Sequence, residues 1–402
     1  MDQELRAKFN EAWSPELYER VQKDLKRRLG CEIPFPVAET PIFLAPETAT
    51  RFATAAREIV KLISEPDFIA LCERAVPETL RGPRRDRLPQ FLAVDFAVVR
   101  EEDGTLGPRL VELQGFPSLY GFQIMLADVW ATHLQLMKGL PDNWRLFFSG
   151  MDRYGAMALV RQSILGDCEP EDVCLLDLDP ENQKTYPDFA VTQRWFGVDP
   201  VCLTKVEKDG DRLFRTRNGE RVPIRRFYHR IVFDEVERAG VSLPFDVREP
   251  LQVEWAPHPA WFFLWSKDSL LDLDHPVVPK TTRVSDLKAV PDDLSRYVLK
   301  PVYSFAGVGV NLDPTEADLE ALPQSERPRW VLQEKVEYAP IFESVEGHSV
   351  KGEMRLMFVR PDDHTEMTLL LNLVRLSRGK MMGVDHNQGL SWTGASVAIW
   401  PA

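Results

Sequence analysis

Apolar residues along this chain follow two spacings. In RFATAAREIVKLI, Phe52, Ile59, Leu62 and Ile63 approximate one face of a helix, and GFQIMLADVWATHLQLMKGL is a second helical stretch. Between them FLAVDFAVV and RLVELQG alternate with the period of strands. Farther on, the strand-like runs DVCLLDLDP, DPVCLTKV and VPIRRFYHRIVFDE are interleaved with a helical TYPDFAVTQRWFG. That alternation predicts a parallel, Rossmann-like unit. The remainder holds EWAPHPAWFFLWSKDSLL, YVLKPVYSFAGVGV, WVLQEKVE, EMRLMFVRP and TLLLNLVRLSRGKMMGV. Most of these read as strands broken by charged turns, with one helix capped by Ser266. The expected fold is therefore mixed α+β and α/β, in three regions at about 1–150, 151–250 and 251–402.

Composition narrows the picture. With 44% hydrophobic and 28% charged residues among 402, the chain is an ordinary globular one. A formal net charge of -13 argues against a nucleic acid or an anionic membrane as partner. The N-terminus, MDQELRAKFNEAW, carries no apolar signal segment, and no run reaches transmembrane length, so a cytoplasmic location is expected. Cys31, Cys72, Cys168, Cys174 and Cys202 form no CxxC pair and read as reduced, mostly structural thiols. LLDLDPENQ lacks GxGxxG, and neither GxxxxGK[ST], HExxH nor GxSxG occurs.

The strand pair carries the first candidate chemistry. Asp103-Gly104 is a strong hairpin signal. If those two residues form the loop, Glu102 faces Thr105 and the register places Asp95 opposite Glu112, with Gln114 on the same face. Like charges about 4.5 to 5.5 Å apart at Cβ are destabilising, and a cation between them would remove that cost. Oxygen ligands of this kind suit Mg²⁺. A solvated sheet face is the competing reading, and Pro108 demands an edge or a bulge.

The second candidate is RYVLKPVYSFAGVGVNLD, where Lys300 ends a strand ahead of a loop containing Ala306, Gly307 and Gly309. Small residues let backbone N–H groups approach phosphate oxygens, and the lysine supplies a point charge. In WVLQEKVE, Gln333 and Glu334 end an apolar strand suited to a hinge whose backbone reads adenine. Arg355 and Arg375 lie on the last strands and would steady a transferring phosphoryl group; surface ion pairing is the alternative for both. His386 and Asn387, in GVDHNQGLSW, belong to a loop that either closes over a substrate or is a polar hairpin tip.

Together these pieces resemble the circularly permuted ATP-grasp fold, and most closely the synthetase module of the glutathionylspermidine synthase family. In that family an Asp strand followed by a Glu-x-Asn strand binds Mg²⁺, which implies that role for Asp95, Glu112 and Gln114. A helix lysine, a Lys-Pro strand with a glycine loop, and a Gln-Glu hinge follow, matching Lys267, Lys300-Pro301 with Ala306, Gly307 and Gly309, and Gln333-Glu334. Residues 151–250 would be the preATP-grasp domain. Two departures stand out: Gln114 replaces the usual Asn, and Ala93 stands where an arginine often precedes the Asp. The resemblance implies an ATP-dependent carboxylate–amine ligase working through an acyl phosphate, with ATP and Mg²⁺ as cofactors and small-molecule substrates. The alternative is a nucleotide-binding or partner-binding protein that keeps the fold without ligase chemistry.

Overall fold

A computed structural model describes the chain except for residues 84, 85, 303–308, 380, 381, 383–386 and 388, and the side chains of 234 and 237. The expected positions Ala306, Gly307 and His386 lie outside the described residues.

The organising layer is an antiparallel sheet assembled from distant parts of the chain. Its order is Gly394–Ser396, Thr368–Ser377, Ser349–Val359, Phe91–Arg100, Leu106–Gln114, with Pro340–Glu343 also paired to Ser349–Val359. Period-2 alternation divides it sharply. Val94, Phe96, Met354, Leu356, Val374 and Leu113 face the main hydrophobic core, while Asp95, Arg355, Arg375, Glu353, Glu112 and Gln114 occupy the opposite face. Farther along that second face, Phe91, Met357, Leu371 and Leu373 pack into another core shared with the parallel layer.

The hairpin reaches the expected pairing by a different route. Glu101, not Glu102, faces Thr105: its N–H donates to the Thr105 carbonyl at 2.8 Å, and Gly104 takes a φ of +80°, which a side chain would disfavour. The extra loop residue shifts the register by one, so that Phe96 pairs with Leu110. A bulge at Val111 shifts it back and restores Asp95 opposite Glu112. Pro108 is tolerated because its strand is the sheet edge.

The second layer is a four-stranded parallel sheet ordered Glu254–Ala256, Arg226–His229, Val173–Asp177, Asp199–Cys202. Its outermost strand lies past the expected boundary at residue 250, and a three-stranded meander over 207–224 is inserted within it. Strand order reverses between Val173–Asp177 and Arg226–His229. A third sheet joins Thr281–Arg283, Trp330–Glu334 and Tyr297–Pro301, with Trp330–Glu334 central.

Helices occur where the apolar stripe can be buried. In Pro46–Ile63, Phe52, Ile59 and Ile63 are fully buried, but Leu62 is 39% exposed. At 100° per residue Leu62 falls well off the stripe of the other three, so it does not share their face as expected. Ser266 does cap the segment after it, accepting from Asp268 N, although Lys267–Leu271 is a 3₁₀ turn rather than an α-helix. The five cysteines are unpaired, and burial pushes the thiols of Cys72 and Cys174 up to about 12. Among the described residues no helix is long and apolar enough to cross a membrane.

Candidate functional site

Two adjacent cross-strand rows build the centre of the site. In one, Glu112 pairs with Asp95 and Asp95 with Arg355; in the next, Glu353 pairs with Arg375. Arg355 grips the Asp95 carboxylate with a fork, Nε to Oδ1 and Nη2 to Oδ2, both at 2.7 Å. Arg375 reaches diagonally to Asp95 and also contacts Glu353. Tyr338 donates its hydroxyl to Glu353 Oε2 at 2.7 Å. Asp95 is completely buried, and such a charge is tolerable only when paired this fully.

Glu112 is held from the other side. Lys267 Nζ lies 2.8 Å from its Oε2, and Gln114 Nε2 donates to its Oε1. Lys267 is therefore no solvated surface lysine: its side chain is 12% exposed. Next to this pair Lys300 donates to Gln333 Oε1 at 2.6 Å, and Gln333 Nε2 donates in turn to Thr281 at 2.9 Å. Gly309 has a φ of +76°, and a Cβ there would lie 2.9 Å from the Pro301 ring, so the chain requires glycine where it returns past the Lys-Pro strand.

The electrostatics follow from this packing. Burial raises the carboxyl of Glu112, but Lys267, Arg375 and Arg355 overcome it and hold the group at about 2. Burial wins at Glu353, whose carboxyl is raised despite Arg375, with Asp95 adding to the rise. For Lys300 burial, then repulsion by Lys267, lowers the ammonium to about 8. Three carboxylates (Asp95, Glu112, Glu353) thus meet four cations (Arg355, Arg375, Lys267, Lys300), a surplus of one positive charge. The buried Arg375 Nε has no partner among the described residues.

Glu112, Gln114, Arg355 and Arg375 line a cleft of about 1380 Å³. Pro301, Gly309 and Trp330 contribute to one side of it. Asp177 and Arg230 contribute to another, from the carboxyl ends of the two parallel strands between which strand order reverses. Ligands of open parallel sheets bind at such a reversal. Burial pushes the Asp177 carboxyl up to about 7, against the pull of Arg230.

Two expectations change on this geometry. The backbone N–H of Glu334 donates to Lys280 and that of Lys335 to Arg296, so a hinge at Gln333-Glu334 offers no N–H for adenine there. Gln333 acts instead through its side chain, between Lys300 and Thr281. The trio Asp95, Glu112 and Gln114 does converge, but as arranged it does not fit a divalent metal. Both Asp95 oxygens are held by arginines, and both Glu112 oxygens by Lys267 and Gln114. Among the described residues no group of three or more acidic, His or Cys side chains is placed to hold a metal.

The sequence reading missed Glu353, Tyr338, Asp177 and Arg230. Glu353 was detectable, since it stands two residues before Arg355 and so shares its face. Tyr338 and Arg230 left no comparable signal.

No family model and no curated protein matches the chain. Among solved structures, it is similar to a glutathione synthetase-like effector from Globodera pallida in its apo form. The TM-score is 0.60 at 12% identity, over 96% of this chain and 97% of that one. At that identity the likeness establishes the fold alone, a mixed α+β architecture shared with that effector.

Proposed function

We propose that the protein is an ATP-dependent carboxylate–amine ligase, built as a circularly permuted ATP-grasp protein. The observation that carries this reading is the convergence of Arg355, Arg375, Glu112 and Gln114, from separate strands, on the wall of one large cleft, with Lys267 paired to Glu112 from the turn after Ser266. The chain order supports the permutation: the Asp95 and Glu112 strands precede the parallel unit, yet complete a sheet whose other strands follow it.

Phosphoryl transfer asks a protein mainly for positioning and charge. A substrate carboxylate oxygen attacks the γ-phosphorus of ATP, the bond from that phosphorus to the β–γ bridging oxygen breaks, and ADP leaves. Arg375 and Arg355, which line the cleft, face the charge that develops on the transferred group. The amine then attacks the acyl carbon, the bond to phosphate breaks, inorganic phosphate leaves, and the amine proton passes to water. The Asp177–Arg230 wall is where the acceptor would lie. The glutathione synthetase-like neighbour is in keeping with amide-bond synthesis.

Hydroxylamine trapping tests the reading. With ATP and a panel of carboxylic acids, an active ligase converts one acid to its hydroxamate and releases ADP in equal amount. Absence of both across the panel would sink the ligase reading. The second reading, a nucleotide-binding protein without ligase chemistry, is favoured by the occupied oxygens of Asp95 and Glu112. It predicts binding of a non-hydrolysable ATP analogue with no hydroxamate.

A further inference from the structure

The electrostatic case for a metal at this hairpin rests on two carboxylates facing each other without compensation. Asp95 and Glu112 do face each other, but the protein compensates both. Arg355 neutralises Asp95 from the neighbouring strand and Arg375 from the strand beyond it, and Lys267 neutralises Glu112 from the turn after Ser266. A magnesium ion placed between them would have to displace a two-pronged arginine contact on a fully buried aspartate, then sit beside three fixed cations. Arginine forks on carboxylates are among the strongest side-chain contacts. The surplus charge of the cluster is positive, and Arg375 still has a buried donor without a partner among the described residues. Such a site is complementary to an anion.

We infer that this protein binds its nucleotide without a protein-held divalent metal, its own arginines and lysines standing where a magnesium ion would bridge carboxylate and phosphate. The inference rests on the nucleotide reading above. Any magnesium that enters does so on the phosphates alone, as part of the incoming nucleotide. A further consequence concerns Lys267. Among the described residues it is the one cation paired directly with Glu112, so its loss frees a Glu112 oxygen that a metal can take while Asp95 stays held by its arginines.

The test is calorimetric titration of the full chain with β,γ-imido-ATP, once in excess EDTA and once in millimolar Mg²⁺, with thermal unfolding of the nucleotide-free protein in both buffers. The expected result is affinity within about threefold between the two buffers, and no stabilisation of the free protein by Mg²⁺. Loss of about tenfold or more in EDTA overturns the inference while leaving nucleotide binding intact. Absence of binding in both buffers overturns the nucleotide reading and the inference with it. A second arm uses Lys267→Met: Mg²⁺ should raise the unfolding temperature of this variant but not of wild type. If Mg²⁺ stabilises wild type as much as the variant, Lys267 does not stand in the metal's place.

Discussion

Two buried ion networks lie on opposite sides of the cleft, and they are balanced differently. In the parallel layer Asp188, fully buried, takes Arg230 Nη1 at 2.8 Å, Leu119 N at 3.1 Å and Phe122 N at 3.0 Å. One anion meets one cation, and the remaining acceptor capacity is filled by backbone N–H groups at the start of the Tyr120–Leu134 helix. That pair is a clamp: it ties the Tyr186–Phe196 helix, the Arg226–His229 strand and the helix start together. In the antiparallel sheet, by contrast, three carboxylates meet four cations; each network leaves one buried guanidinium Nε without a partner among the described residues, on Arg230 and on Arg375. A buried pair balanced charge for charge serves the fold, whereas a charged cluster left with a surplus beside a large cleft is arranged for something that enters it.

The sharpest way to break this contrast is to remove one group from each network. Arg375→Gln should reduce hydroxamate formation by roughly a thousandfold, the scale associated with arginines that stabilise phosphoryl transfer; a loss under tenfold would place Arg375 outside the chemistry. Asp188→Asn should instead cost stability, by about 3 to 5 kcal/mol, because it strands a buried guanidinium. Urea unfolding measures that loss, and molecules still folded should bind the ATP analogue as wild type does.

Lys300→Met separates the two roles within one residue. Analogue binding should weaken by about tenfold, ~1.4 kcal/mol, while resistance to urea holds or rises, because the lysine removed is a buried cation that donates to the amide of Gln333. A stability loss comparable to that of Asp188→Asn would show the lysine to be structural.

The smallest expected effect is on pH dependence. Burial, reinforced by Lys267, lowers the Lys300 ammonium to about 8 in the folded protein, below its ordinary value near 10.5. Between those values the unfolded chain binds more protons than the folded one, so this group makes stability rise with pH from about 8 upward and adds no slope below that. Analogue binding should fall over the same rise as the charge is lost. In Lys300→Met both trends should flatten, which stability curves and titrations across pH 7.5 to 10 would register, about the span of that titration.

Local pattern told a good deal about this protein. Alternation in FLAVDFAVV and RLVELQG, with Gly104 between them, determined a hairpin with Asp95, Glu112 and Gln114 on one face, because side-chain direction in a strand is a matter of parity. The alternation of strand and helix after residue 150 likewise determined a parallel layer. What parity cannot carry is identity of partners. Asp95 is bonded to arginines 260 and 280 residues away, and Glu112 to a lysine from a segment that pattern marks as the start of a helix. The sequence announces that a polar face exists, but which charges meet on it depends on how strands from the two ends of the chain pair in one sheet. The same holds for the one-residue shift at the hairpin and its reversal at Val111, since register is settled by the buried face as a whole. Whether the carboxylates face a metal or the protein's own cations was therefore decided only by the tertiary structure, because compensation of a buried charge is a property of everything that surrounds it.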